Sequence, residues 1–217
     1  MSEDKSFPSL VSGVIKSPRR TFNLIGKEDF KKSFFIVSVT AVLSALAQFN
    51  YGMKTQIAGF VPPGGNFVLT NPETFKRNIV TIISLFNGLE VVIDWLILSI
   101  IVYSISRIIS PYKDFKRLTA LLGFSQIPLL FQQILRVIDS YIVSEDLLSV
   151  YTGSIGSSLT RGLIDIIIKK FTIFGVWAFV LTVLAISNGF ESPLKKAVPV
   201  VITAYFLYII FRLLLPL

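Results

Sequence analysis

Five stretches of this chain, at about residues 33–50, 79–105, 118–138, 163–187 and 197–215, are apolar for long enough to cross a lipid bilayer. A helix needs about 20 mostly apolar residues to span about 30 Å of hydrocarbon, and each run comes close to that length or exceeds it. The runs are continuous rather than alternating with period two, so the strands of a transmembrane β-barrel do not fit them. Only 16% of the residues are charged, and these gather between the runs. A soluble domain usually carries about 25% charge, spread over its surface. The chain therefore reads as all-α: a polytopic transmembrane helical bundle of five spans over 33–217, preceded by an amphipathic cytoplasmic segment over 1–32.

The placement of Lys and Arg sets the direction of threading. Of the 21 basic residues, 13 precede the first span or lie in the loops after the second and fourth spans. Six fall on the other side: Lys54, Lys76, Arg77, Arg136, Arg161 and, near the end, Arg212. Cytoplasmic loops carry the excess of Lys and Arg. The amino terminus is thus expected in the cytoplasm and the carboxyl terminus outside, which an odd number of spans also requires. A cell membrane is the expected location. The net charge of +8 points to anionic lipid headgroups as partners rather than to nucleic acid. The first 30 residues are not expected to be a signal peptide, because Lys16, Pro18, Arg19 and Arg20 interrupt their apolar residues.

That leading segment has a pattern of its own. Phe7, Leu10, Val11, Val14 and Ile15 recur at helical spacing and form one stripe. Ser17-Pro18 marks a second helix start, with Pro18 at the first position, where its missing N–H does no harm. Phe22 and Ile25 continue the apolar face, and Gly26 is a natural stop. Arg19 and Arg20, with Lys31 and Lys32 ahead of the first span, are the candidates for binding the membrane surface. Two placements stay open ahead of a third, a disordered tail: a hairpin lying in the bilayer interface, and a cap packed on the ends of the bundle.

The second span holds Asn87, Glu90 and Asp94, which spacings of three and four place on one helical face. Both carboxylates fall near the middle of the hydrocarbon, where a lone charge costs at least about 2.5–3.5 kcal/mol. They are expected to face protein or trapped water, with at least one carrying a proton or a cationic partner. Asp165, Lys169 and Lys170 in the fourth span supply candidates, with Lys169 the expected partner of Glu90. In the third span Gln126, Gln132 and Gln133 offer interhelical hydrogen bonds, and Pro128 is expected to kink the helix. This set supports two readings: a polar path for a proton, ion or small solute, and a buried network that fixes helix register. In the first span Ala41 and Ala45 form a small-xxx-small pair that permits close helix contact, a weak signal for dimerisation.

Some chemistry is excluded outright. With no Cys and no His there is no disulfide, no thiol or imidazole catalysis and no zinc site built on those ligands. No nucleophile elbow, P-loop or dinucleotide fingerprint occurs. No catalytic residue, metal or cofactor is expected, and enzyme is the least favoured class.

Three motifs in order carry a resemblance. They are Ser17-Pro18-Arg19-Arg20-Thr21-Phe22 before the first span, Phe115-Lys116-Arg117-Leu118 leading into Gly123-Phe124-Ser125-Gln126-Ile127-Pro128, and Trp177 followed by Gly189-Phe190-Glu191-Ser192 and Lys195-Lys196-Ala197. The chain resembles the Yip/Yif (Ypt-interacting protein) group of five-span membrane proteins, in its prokaryotic branch. The resemblance implies five helices, a cytoplasmic amino terminus and no known enzyme activity. It links eukaryotic members to Rab GTPases and vesicle traffic. The chain lacks their Asp-Leu-Tyr-Gly-Pro-type segment, so a Rab partner is not carried over. The leading expectation is a non-enzymatic scaffold or membrane-organising, trafficking-type protein, with a homo-oligomer as one form open to it. The alternative is a channel or transporter using the acidic face of the second span.

Overall fold

The computed structural model describes residues 6–55, 71–109, 114–144 and 172–214. Among these residues every regular element is helical. Two short helices, α1 (Phe7–Lys16) and α2 (Pro18–Leu24), lead through a 3-10 turn (Lys27–Asp29) into α3 (Phe30–Lys54). Then follow α4 (Pro72–Ile109), α5 (Phe115–Ser125), α6 (Ile127–Ile142), α7 (Ile173–Gly189) and α8 (Leu194–Leu214). The sequence features at 56–70 and 145–171, including the Pro-Gly turn signal and the short helix anticipated near Glu145, lie outside the described residues.

Three of these helices are long and apolar enough to cross a membrane, at Lys27–Lys54, Pro72–Arg107 and Leu194–Leu214. The pair α5 and α6 makes a fourth if it counts as one bent span. The bend is 41° and falls at Gln126. Its cause is the one expected: Pro128, in the first turn of α6, has no N–H to continue the ladder and its ring crowds the preceding turn. The helix α7 is 17 residues long, and the earlier part of its apolar run lies outside the described residues.

The helices form a ring. α3 packs along α4 on one side and along α5 and α6 on the other. α8 lies between α4 and α7, and α7 closes the ring against α5 and α6. α5 is the innermost element, with every residue from Leu118 to Ser125 buried. Its small residues allow this. Gly123 sits so tightly on Ser33 of α3 that a Cβ would collide with the serine hydroxyl. The Ser125 and Thr182 hydroxyls share a hydrogen bond of 3.0 Å between α5 and α7. Other buried hydroxyls bond back to their own helices, as Thr40 does to the Ile36 carbonyl and Ser99 to the Trp95 carbonyl. An apolar surrounding offers no water to do that work.

The amino-terminal helices are a cap, one of the two placements left open above. Leu10, Val14, Phe22 and Ile25 are all buried, in one apolar cluster with Ile36, Phe124 and Leu181 of the bundle. Ser17 stands at the start of α2 as anticipated, but its hydroxyl does not cap the helix; its carbonyl accepts from the Thr21 hydroxyl at 3.0 Å. Two further contacts tie the cap down. Arg117 Nε donates to the Ile25 carbonyl at 3.0 Å. The buried Asp29 carboxylate accepts from the Gly26 amide at 3.0 Å and from the Lys32 ammonium at 2.7 Å.

Candidate functional site: an ion-paired layer inside the bundle

The outward surface of α4 shows where a bilayer would sit. Its exposed apolar side chains run from Ile82 through Phe86, Leu89 and Leu96 to Ile100. At about 1.5 Å per residue that band is about 27 Å tall, close to the hydrocarbon thickness. Glu90 and Asp94 fall in its middle. Exposed apolar side chains continue the band on α3 (Phe34, Phe35, Val42, Leu46) and α8 (Ile202, Phe206, Ile210, Leu214). So much contiguous apolar surface is untenable in water and ordinary against lipid.

Within that band, among the described residues, the two carboxylates have a cationic partner in Arg212 from the last turn of α8. Arg212 Nη2 forms an ion pair with Glu90 Oε1, and its Nε lies 3.6 Å from Asp94 Oδ1. The Arg212 side chain is 14% exposed, Asp94 17% and Glu90 30%. Glu90 and Asp94 stand one turn apart on α4, so one guanidinium with donors on several edges can serve both. Tyr208, one turn before Arg212 on α8, stands beside Asp94. Pairing removes the cost of an isolated charge in hydrocarbon and ties α8 to α4 at a fixed height.

The expected stripe on α4 is divided between two neighbours. Asn87 turns to α3, where its Oδ1 accepts from the Ser44 hydroxyl at 2.7 Å, whereas Glu90 and Asp94 turn to α8. Beside Asn87, Gly88 packs on Ala41 and Ala45. A Cβ on Gly88 would stand 2.9 Å from the Ala41 carbonyl oxygen and 3.1 Å from the Ala45 Cβ. The small-xxx-small pair that suggested a second copy is therefore covered within the chain.

Lys169, the expected partner, is not among the described residues; among those described, Arg212 fills that role. Asp165, Lys169 and Lys170 lie outside the described residues. Gln126 stands at the α5–α6 break, where its carbonyl accepts from the Leu129 and Leu130 amides. No hydrogen bond joins its side chain to Glu90 or Asp94 among the described residues. Gln132 does bond between helices, accepting from the Thr172 hydroxyl at 3.2 Å, while Gln133 accepts from Arg136 on its own helix. Of the surface candidates, Arg19, Arg20 and Lys31 are exposed, and Lys32 is committed to Asp29. Arg212 was counted with the charges of one membrane face, and a count of charges cannot see that it turns inward. The available signal was Tyr208 and Arg212 at i, i+4, with no other charge on the helix after Lys196.

The Yip1 domain family matches residues 12–215. The chain belongs to that family. It is an integral membrane protein, as its apolar helices independently indicate. No curated protein and no solved structure matches it. The structure gives physical content to the motifs that carried the Yip resemblance. Gly123 is the contact with Ser33, Ser125 the bond to Thr182, and Pro128 the bend. In Gly189-Phe190-Glu191-Ser192, Glu191 takes φ 48° and lets the chain reverse from α7 into α8. The reversal is closed by the Ser192 amide on the Ser187 carbonyl at 2.9 Å and the Ser187 hydroxyl on the Ser192 carbonyl at 2.7 Å. It sets where α8 begins, and so the height at which Arg212 meets α4.

Proposed function

We propose that this Yip1 domain protein is a non-enzymatic membrane scaffold, a multi-pass bundle that organises a cell membrane through its helix surfaces. One observation carries the reading: the intramembrane acids of α4 are paired with Arg212 of α8. The charges are then a lock between helices rather than vacant sites on a path. In this reading α7 completes a fifth crossing and the amino terminus is cytoplasmic. The charge pattern supports that orientation. Lys16, Arg19, Arg20, Lys27, Lys31, Lys116, Lys195 and Lys196 are exposed and lie at one end of the bundle, on the cap and the starts of α3, α5 and α8. At the other end Lys54 is held by the Tyr141 and Val143 carbonyls, and Arg136 by Gln133.

A second reading, a path for protons or cations, is favoured by the exposure of Glu90 and by two carboxylates sharing one guanidinium. Reconstitution of the full chain into liposomes separates the two. The scaffold reading expects vesicle shape to change with protein density, by electron cryomicroscopy, while proton and potassium flux stay at the protein-free level. Flux that disappears in the Glu90→Gln, Asp94→Asn double variant would replace it with the second reading.

A further inference from the structure

The helix α1 has two apolar stripes; the bundle buries one fully and the other, where Phe7 and Val11 pack on the same apolar cluster, only in part. Leu10 and Val14 are fully buried against the bundle. Phe7, Val11 and Ile15, four residues apart in succession, form the other stripe. They line a shallow open groove with Pro8, Ser12 and Lys16, and Ile15 is 40% exposed. A cap standing in water has no use for a second apolar stripe.

Its surroundings say what covers it. The Phe7 ring meets the Phe35 ring edge-on at 5.6 Å. Phe35 is 56% exposed and Phe34 45%, both in the first turns of α3, where the apolar band described above begins. The stripe on α1 is therefore continuous with the lipid-facing surface. Next to it stand Lys16, Arg19 and Arg20, all exposed, with Lys27 and Lys31 close in the chain. An apolar stripe edged by basic residues at the end of a transmembrane bundle has the chemistry of an anionic bilayer surface.

We infer that α1 is anchored in the bilayer interface, with Phe7, Val11 and Ile15 among the acyl chains and Lys16, Arg19 and Arg20 on anionic headgroups. The cap is thereby wedged between the bundle and the lipid, so the two placements open to the sequence are both occupied, one by each stripe. The inference rests on the bundle spanning a bilayer, and the test separates failure of one from failure of the other.

The chain has no Cys, so a single introduced thiol is unique. The full chain carrying Ile15→Cys, labelled with an environment-sensitive fluorophore, is placed in vesicles of phosphatidylcholine and phosphatidylglycerol. Nitroxide-labelled lipid is expected to quench it and aqueous iodide to leave it bright. Nitroxide on phosphatidylglycerol should quench more than nitroxide on phosphatidylcholine. That preference should fall about fivefold or more with Arg19→Gln and Arg20→Gln together. A label at Phe206→Cys, on the exposed face of α8, reports on the bilayer itself. If lipid quenches at 206 and only iodide quenches at 15, the anchor is overturned and the bundle stands. Shielding from both quenchers at 15 also overturns the anchor, in favour of a second copy or another protein on α1. Absence of lipid quenching at 206 overturns both.

Discussion

The two seams that α4 makes, with α3 and with α8, are held by opposite means. Against α3 the contact is close and neutral: Gly88 on Ala41 and Ala45, Gly52 of α3 under Val80, and a hydrogen bond from Ser44 to Asn87. Against α8 charge is added to apolar packing: Leu98 and Val102 lie in one buried cluster with Val201 and Ala204, and Arg212 serves Glu90 and Asp94. The difference follows from the solvent. Lipid gives no hydrophobic drive to helix association, so a neutral seam depends on close van der Waals fit along its whole length. A seam that carries charge is most sensitive at that layer, because unpaired charge in hydrocarbon costs more than many dispersion contacts return. The first seam should tolerate polar change and fail on added volume. The second should fail first on unbalanced charge.

Arg212→Leu tests the charged seam and should be the most damaging single change. It leaves two carboxylates in the apolar band without their guanidinium, and breaking such a pair costs about 3–5 kcal/mol. Reversible unfolding in mixed micelles measures it. Adding Glu90→Gln and Asp94→Asn to that variant should recover most of the loss, because it is the uncompensated charge that is costly. Gly88→Leu tests the neutral seam. The new side chain meets the Ala41 backbone, which cannot yield as a side chain can, and overpacking of this kind costs about 1–3 kcal/mol. Cross-linking yield between introduced thiols on α3 and α4 should fall with it, while α4–α8 pairs are unaffected. Smallest is Ser44→Ala, which removes the side-chain hydrogen bond from α3 to Asn87. Interhelical hydrogen bonds in membranes are worth about 0.6 kcal/mol on average, so a shift near that size is expected in the same unfolding assay. A loss of the size expected for Arg212→Leu would mean the α3 seam is not a neutral one.

Much of this was legible in the residues. Unbroken apolar runs marked α3, α4 and α8, and Pro128 marked the bend, because each is a local property with a local cause. The stripe in 7–25 was legible as helical, and its packing on the bundle matches the reading as a cap. Its rival reading as an interfacial hairpin could not be separated by spacing alone, since two stripes on one short helix give the same periodicity. The acids were legible as an intramembrane problem needing a cation. Which cation was not, because Arg212 and Glu90 are far apart in the chain and only the α7–α8 reversal at Glu191 sets the height of α8. Gly88 carried no signal of its own. Its meaning comes from standing opposite Ala41 and Ala45, and pairing across a seam is a property of the fold.

The central claim, that Arg212 of α8 and Glu90 of α4 lock two helices inside the membrane, is tested most directly by a double-mutant cycle. Unfolding free energies are measured for the unaltered chain, Glu90→Gln, Arg212→Gln and the double variant in one lipid mixture. A direct, poorly solvated pair predicts that the double variant loses clearly less than the two single losses added together, by about 1.5 kcal/mol or more. Losses that simply add, within about 0.5 kcal/mol, would mean the two side chains do not meet and would contradict the account.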